Sequence, residues 1–545
     1  MVKGCSKIPV VTLYYNRLKS MINKNVEEII NVLPYIGLDI EEEGNDYVKV
    51  EYNPNRPDFS TDYGIIRALK GLLDIDIGIP KYEQGESNVS VIVDDSVNNV
   101  RPYIVSLLAL DGKLDDDIIR EIITMQEDLH NGLGRKRRKI SIGIHDYGKI
   151  QGPFIYTLAD PKTLFVPLDE SKEYTLEYII NNHELGKKYK SIIGNYYPII
   201  KDANNNIISF PPIINSELTR VNNNTKDLFI EITATDLKSA QDALSILAMT
   251  LFDANFKIKS VNIDYNNKII LTPMMNNNII DVDILYINNL LGLDLSNEEI
   301  IKALRRSRLD GNIIDNKLRC IIPPYRFDII NAIDIVEEIG IGYGIYRLEP
   351  TYPLHIASGM RDKFLRFIDN SRDVMISLNT IEVMNFDIID KDILDMLGLN
   401  YRYEVEHSKS KEHEILRPSL IPSLLKVLSV NIHEPYPQLL FEIGKVFNDE
   451  EEYRLVLAIA SNDTNFTNIK SYLQAFLKRL INKDPITKAT NIPFLKEGVS
   501  ANIIIDNVLL GIIGEVRKDI IEKLKIRVNI SLFEISLNKL YDLIK

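Results

Sequence analysis

Four carboxylates, Asp328, Asp334, Glu337 and Glu338, fall within PPYRFDIINAIDIVEE (323–338), a segment otherwise rich in Ile and Val. Asp334, Glu337 and Glu338 stand at i, i+3 and i+4, which is one face of a helix, and Asp328 lies just before that helix. Carboxylates this close repel one another unless a cation neutralises them, and oxygen-only ligands suit a hard divalent ion, above all Mg²⁺. An acidic first turn favoured by the helix macrodipole is the plain alternative, and spacing alone does not separate the two.

A helix and the loop before it must position these groups, and the same arrangement occurs earlier in the chain. Residues 26–69 contain VEEIINVL, IGLDIEEE and VKVEYNPNRPDFSTDYGIIRAL; residues 297–339 contain NEEIIKAL, SRLDGNII and LRCIIPPYRFDIINAIDIVEEI. A displacement of 270 positions pairs Pro54 with Pro324, Arg56 with Arg326 and Asp58 with Asp328, and Glu27 falls opposite Glu298 with one residue of slack. Each copy reads as helix, loop, strand, proline-containing turn and second helix, a small α+β unit. At the aligned helix positions the first copy has Gly64, Arg67 and Ala68 where the second has Asp334, Glu337 and Glu338. The shared scaffold therefore does not require acids there.

A chain of 545 residues is long enough for roughly three or four domains. Hydrophobic residues at 45% and charged residues at 26% describe a folded chain rather than a disordered one. Only Cys5 and Cys320 occur, which excludes a zinc cluster and argues against a disulfide framework. With no apolar targeting run at the N-terminus and no stretch of about 18 apolar residues, the expectation is a cytoplasmic protein with no membrane contact. A net charge of −13 works against a chain that grips nucleic acid unaided, so such contact must be local or supplied by a partner. One local exception is RKRRK (135–139), five consecutive cations able to attract a phosphate backbone or simply to form a solvated loop. His130 and His145 flank this run, and a lone histidine is more often a hydrogen-bonded structural residue than a catalytic one.

Five segments in order, EYNPNRPDFSTDYGIIRAL, QEDLHNGLGRKRRKISIGIHD, FPPIINSELTRV followed by LFIEITATD, PPYRFDIINAIDIVEEIGIGYG, and RPSLIPSLLKVLSVN followed by PQLLFEIGKVF, carry a resemblance. The chain resembles the β subunits of phenylalanyl-tRNA synthetases of the archaeal and eukaryotic type, from near residue 10 to near residue 535. The resemblance implies a multidomain α+β fold. Its parts are an N-terminal module (1–80), a mixed α/β editing-like domain (85–270), a second module with the acidic metal site (271–347), and a class II synthetase-like antiparallel sheet domain lacking an active site (348–545). With the archaeal and eukaryotic type comes the expectation of neither the oligonucleotide-binding barrel that bacterial relatives insert nor, after LFEISLNKLY, their anticodon-binding domain.

The resemblance also assigns residues. It implies that Asp328, Asp334, Glu337 and Glu338 ligate Mg²⁺ in a structural role. In 85–270 it implies hydrolysis of tRNA mischarged with tyrosine, for which a pocket must engage a phenolic hydroxyl and reject phenylalanine. Ser209 beside the double proline Pro211–Pro212, and Glu231 and Thr233 on one face of the strand LFIEIT, are the groups expected to line it. Asp236 follows the same strand. Some relatives have Asp where this chain has Glu231, and Gly where it has Ala234. An ordinary strand with its polar face in water is the plain alternative. In 348–545, FEIGKVF has no Arg at its strand, GIIGEVR (511–517) suits a glycine-containing turn better than an ATP-binding helix, and no G-x-x-x-x-G-K-[ST] occurs. HSKSKEH (407–413) is superficially similar to the lysine-serine loop of the other synthetase class but has no partner motif. RPSLIPSLLKVLSVN carries a helical apolar stripe suited to a core or a subunit interface.

Phenylalanine-tRNA ligase activity is therefore expected from an α2β2 tetramer. The α subunit would bind ATP and phenylalanine, and this chain would contribute tRNA(Phe) contacts, architecture and editing. A free-standing hydrolase of mischarged tRNA, and a non-enzymatic nucleic-acid or assembly module, are the alternatives; both leave the degenerate synthetase-like domain without a purpose.

Overall fold

Two strands 270 positions apart, Tyr47–Tyr52 and Lys317–Ile322, both alternate in burial: Val48, Val50 and Tyr52 face one core, and Leu318, Cys320 and Ile322 face another. The computed structural model of the chain describes residues 9–266, 268–352 and 358–545, which leaves Cys5 outside the described residues and Cys320 as a buried free thiol. Each strand is the centre of a three-stranded antiparallel sheet. Val10–Tyr14 and Leu38–Glu43 flank the first, and Asn278–Asp283 and Asp310–Ile314 flank the second in the same order. The second helices, Asp62–Leu72 and Ala332–Tyr343, also start 270 positions apart. The repeat in sequence is thus a repeat in fold. The modules touch where the Arg306 guanidinium donates to the Leu72 carbonyl and the Arg308 guanidinium donates to Asp76 at 2.7 Å. Gly71 meets the Arg306 carbonyl so closely that a Cβ there would overlap it.

Between the modules runs a sheet of eleven strands. Its organiser is Lys257–Asp264, whose first half pairs antiparallel with Tyr103–Leu110 and whose second half pairs parallel with Ser90–Val93. Leu228–Ala234 lies between Tyr103–Leu110 and Ile140–Asp146. Its even-numbered residues Leu228, Ile230, Ile232 and Ala234 pack in one core with residues of the helices Asp116–Asn131 and Leu237–Asp253. On the other side Phe229 stacks on Phe154, with ring centroids 4.1 Å apart. Every residue of this strand is buried. Glu231 and Thr233 therefore do not face water, because protein covers both sides of the sheet. These strands, the two modules and their helices belong to one unit, Met1–Tyr352.

The other unit, Pro353–Lys545, is built on a seven-stranded sheet. It is antiparallel except for the edge pair Ile381–Glu382 with Gln438–Phe447, which is parallel. Alternation along Glu451–Ser461 sends Leu455, Leu457 and Ile459 to a core shared with the helices Lys363–Ser377 and Phe466–Ile481. Val456, Ala458 and Ala460 go to the opposite core, with Lys391–Leu397 and Ile421–Val430. The apolar stripe of RPSLIPSLLKVLSVN is thus mostly core: Ile421, Leu424, Leu425 and Leu428 are buried, and Val430 is exposed. GIIGEVR is not a turn. Gly511–Val516 lies inside the strand Val508–Val516, where the bare Gly511 lets the Glu534 carbonyl of the neighbouring strand approach. Among the described residues no helix is long and apolar enough to cross a membrane.

Candidate functional site

A cavity of about 400 Å³ opens beside Ile140–Asp146 and Leu228–Ala234, the last two strands at one end of the large sheet. Its apolar wall comes from the helix Asp116–Asn131, through Ile119, Ile122 and Ile123, and from Ile142 and Leu228. Its polar wall comes from Ser141, Ser209, Asn215 and Thr219. The cis peptide Pro211–Pro212 lines it between Ser209 and Asn215. An apolar slot with a few convergent polar groups is the usual form of a small-molecule site.

Behind the polar wall lies a layer with no solvent access. Ser209 Oγ donates to Glu231 Oε1 at 3.0 Å, and both residues are buried. His145 Nε2 lies 3.8 Å from the same oxygen, while its Nδ1 is 2.8 Å from Thr219 Oγ1. Glu231 pairs across the sheet with Gly143, where a Cβ would collide with both the Glu231 carboxylate and the His145 ring; only glycine leaves space for the pair. Glu231 Oε2, His145 Nε2 and Ser106 Oγ are buried without a hydrogen-bond partner. Orphaned polar atoms are costly in a core and concentrate where a ligand or water completes them.

Thr233 is not part of the cavity. Its Oγ1 and carbonyl accept hydrogen bonds from the fully buried Arg101 guanidinium, at 3.3 and 2.7 Å. It shares a strand face with Glu231, as the alternation implies, but Arg101 covers it. Burial pulls the Arg101 pKa below the usual guanidinium value, and the Tyr156 and Glu231 charges act in the opposite sense. Asp236 caps the next helix at Ser239 and pairs with Lys139 at 3.0 Å.

His130 is a structural residue. Its Nε2 accepts the Ile142 amide at 2.8 Å, so Nδ1 carries the proton and donates to Glu127 at 3.0 Å. Burial pushes its pKa down, which keeps the ring neutral. That bond, with Arg137 at 2.7 Å, holds the Glu127 carboxyl down at about 2. Arg137 also donates to the carbonyls of Pro212 and Ile213, both at 3.2 Å, and lines the cavity.

The four acids at 328–338 are not brought to one point. Asp328 accepts a forked pair of bonds from Arg326, at 3.0 and 2.8 Å, and Glu338 accepts from the same guanidinium. Asp334 Oδ2 accepts the amides of Ile330 and Asn331, both at 2.7 Å, as a helix cap. Glu337 is exposed. Among the described residues no group of three or more His, Cys, Asp or Glu side chains is placed to hold a metal ion. As arranged, the four do not fit a divalent-ion centre: Arg326 already neutralises two of them, and backbone amides satisfy a third. The first module repeats the fork, with Arg56 on Asp58 at 2.9 Å through both nitrogens, and Arg56 also lies 3.7 Å from Glu338.

Comparison with known proteins decides the family. The chain is 37% identical over 544 residues to the phenylalanine–tRNA ligase β subunit of Archaeoglobus fulgidus, covering 98% of this chain and 99% of the relative. The chain belongs to the phenylalanine–tRNA ligase β-subunit family. The family member of Methanocaldococcus jannaschii is 33% identical, with 97% and 100% covered. Profiles of the B3/4 domain match residues 91–251, of the tRNA synthetase B5 domain 280–345, and of the phenylalanyl-tRNA synthetase β-chain CLM domain 348–537. An N-terminal fragment of the Pyrococcus horikoshii phenylalanyl-tRNA synthetase β subunit is similar in fold, with a TM-score of 0.60 at 35% identity, covering 62% of this chain and all of the fragment. The cavity thus lies in the B3/4 match and the acids in the B5 match. These matches do not favour a free-standing hydrolase or a non-enzymatic module.

Sequence reasoning missed Arg101, Gly143, Asn215 and Thr219, and assigned no role to His145. Only the glycine in SIGIHD, an interruption in a strand pattern, offered a signal. In the CLM region, Arg417 serves architecture. It binds Glu442 at 2.6 Å and the Lys445 carbonyl at 2.9 Å, beside the strand FEIGKVF, which itself carries no arginine.

Proposed function

We propose that this phenylalanine–tRNA ligase β subunit works beside an α subunit that binds ATP and phenylalanine, in an α2β2 tetramer acting on tRNA(Phe). In that assembly residues 85–270 hydrolyse the ester of tRNA carrying tyrosine in error. The observation that carries this reading is the Ser209 hydroxyl on the cavity wall, bonded to a buried Glu231 whose second oxygen has no partner.

Ser209 donates its proton to Glu231 at 3.0 Å, the shorter of its two contacts, with Asn215 Oδ1 at 3.3 Å, so its oxygen keeps lone pairs for an incoming donor. A phenolic O–H donates to it and extends the chain to Glu231. A phenylalanine ring leaves that acceptor dry and unpaired, and a site of this kind can reject the analogue lacking the hydroxyl by about 10⁴-fold. The isoleucines of the helix Asp116–Asn131 hold the ring. Arg137, ion-paired with Glu127 and bonded to the carbonyls of Pro212 and Ile213, fixes the wall opposite the ring. Thr233 acts at one remove, through Arg101.

For the acids of the second module we propose charge pairing, with Arg326 in the place of a divalent ion. Ligation of Mg²⁺ by Asp328, Asp334, Glu337 and Glu338 would need those pairs to open.

The test is tyrosyl-tRNA(Phe) clearance by this chain co-purified with its α subunit. Ser209→Ala and Glu231→Gln should each slow clearance at least tenfold relative to phenylalanine charging in the same preparation. A wild-type complex that leaves tyrosyl-tRNA intact, or variants that clear it at the wild-type rate, would overturn the reading.

A further inference from the structure

The run RKRRK joins the helix Asp116–Asn131 to the strand Ile140–Asp146, and it is not a floppy loop. Arg135, Lys136 and Arg137 adopt φ of 48°, 57° and 64°, three consecutive left-handed residues with none of them glycine. Such a run is unfavourable for L-residues, so surrounding contacts must hold it. Amides of Arg135, Arg137 and Lys139 donate to the carbonyls of Gly132, His130 and Gly134, at 3.1, 3.1 and 2.8 Å. From beneath, the buried Arg101 donates to the carbonyls of Arg137 and Arg138, at 3.1 and 3.2 Å. Its remaining hydrogen bonds go to Thr233, so none of its partners is a carboxylate and its charge adds to that of the loop.

This backbone sorts the five cations. Arg137 turns inward to the cavity wall, over the Tyr189 ring at 4.8 Å, and Lys139 pairs with Asp236. Arg135, Lys136 and Arg138 are exposed, and among the described residues their side chains make no ion pair. A chain with a net charge of −13 therefore presents three uncompensated cations on a braced loop, chain neighbours of a residue that lines the cavity. A loop already braced loses little freedom on binding.

We propose that Arg135, Lys136 and Arg138 bind backbone phosphates of the single-stranded 3′ end of tRNA and so deliver the terminal acyl ester into the cavity. The proposal rests on the hydrolytic reading above for the cavity's role. What it adds is the rim and the polyanion that the rim takes.

The experiment uses the complex with the α subunit and the variant R135Q/K136Q/R138Q, whose changes lie on exposed side chains. Two substrates are compared: tyrosyl-tRNA and the phosphate-free ester 3′-O-tyrosyl-adenosine. The variant should lose at least tenfold more kcat/KM on tyrosyl-tRNA than on tyrosyl-adenosine, mainly through KM. Binding of uncharged tRNA is measured separately across salt concentrations. The slope of log affinity against log salt should become shallower by about 2, because each single-strand phosphate that a cation neutralises adds roughly 0.7 to it. An unchanged slope, or equal losses on the two substrates, would overturn the proposal. If the wild-type complex hydrolyses neither ester, the hydrolytic reading fails, while the salt slope still decides whether the loop grips the tRNA.

Discussion

The two small modules share strand positions, sheet order, helix starts and even the Arg–Asp fork, yet they settle charge differently. In the first, the fork of Arg56 and Asp58 is followed by a helix with Gly64 in its first turn, pressed against the Asp58 carbonyl. In the second, Arg326 supports two carboxylates, Asp328 and Glu338, and the position aligned with Gly64 is Asp334, which caps the helix instead. One backbone thus tolerates either a close approach or a capping acid at a single position. What differs is how the turn before the helix is satisfied. An acid-rich helix start is therefore not by itself a metal site, because a neighbouring arginine can supply the neutralising charge at lower desolvation cost than a hydrated Mg²⁺.

The largest effect expected from breaking this contrast is at Arg326. Replacement by Met strips Asp328 of its forked partner and leaves Glu338 only Arg56 at 3.7 Å, and should cost about 3–5 kcal/mol in chemical denaturation of the complex. Arg56→Met should cost less, because it strips the direct partner from one carboxylate, Asp58, while Glu338 retains Arg326. Millimolar Mg²⁺ should leave the melting temperature of the wild type unchanged. A marked rise that Glu337→Ala abolishes would restore the divalent-ion reading.

Exchanging the aligned residues sharpens the comparison further. Gly64→Asp drives a Cβ into the Asp58 carbonyl and should destabilise by about 3 kcal/mol. Asp334→Ala removes only a cap and should cost about 1 kcal/mol. Equal losses in thermal unfolding would mean that the two turns are not built differently.

A last effect, spread over several pH units, concerns an acid that the first module buries. Asp62 pairs with Arg17 at 2.5 Å, and burial beside Asp62 pushes the Glu121 carboxyl up to about 9. A carboxyl raised above its unfolded value contributes fully below about pH 4.5, and its contribution is lost as pH rises towards 9. The penalty is on the order of 1 kcal/mol per pH unit. Glu121→Gln should flatten that decline between pH 6 and 9. Parallel pH–stability curves for the two proteins would sink this assignment.

Much of the fold was legible from periodicity. Alternation marked Tyr47–Tyr52, Lys317–Ile322 and Leu228–Ala234 as strands, and the 270-residue displacement announced the sibling modules. The sequence also singled out Ser209 and Glu231, which the structure joins by a hydrogen bond. Thr233 was misplaced because alternation says which side of a strand a residue takes, not what covers it there; Arg101, 132 positions away, covers it. GIIGEVR was misread because a glycine that opens a turn and one that admits a neighbouring strand look alike in sequence.

By itself the sequence determined the local elements, the duplicated module and the family, because burial periodicity, turn chemistry and ordered motifs are written along the chain. Only the tertiary structure decided which charges neutralise which, and which polar groups reach the cavity. Counter-charges such as Arg326 for Glu338, and cavity neighbours such as Thr219 for His145, are chosen by distances of a few ångströms between separate elements. Electrostatic and hydrogen-bond energies fall off over that same range, so residue spacing along a chain does not encode them.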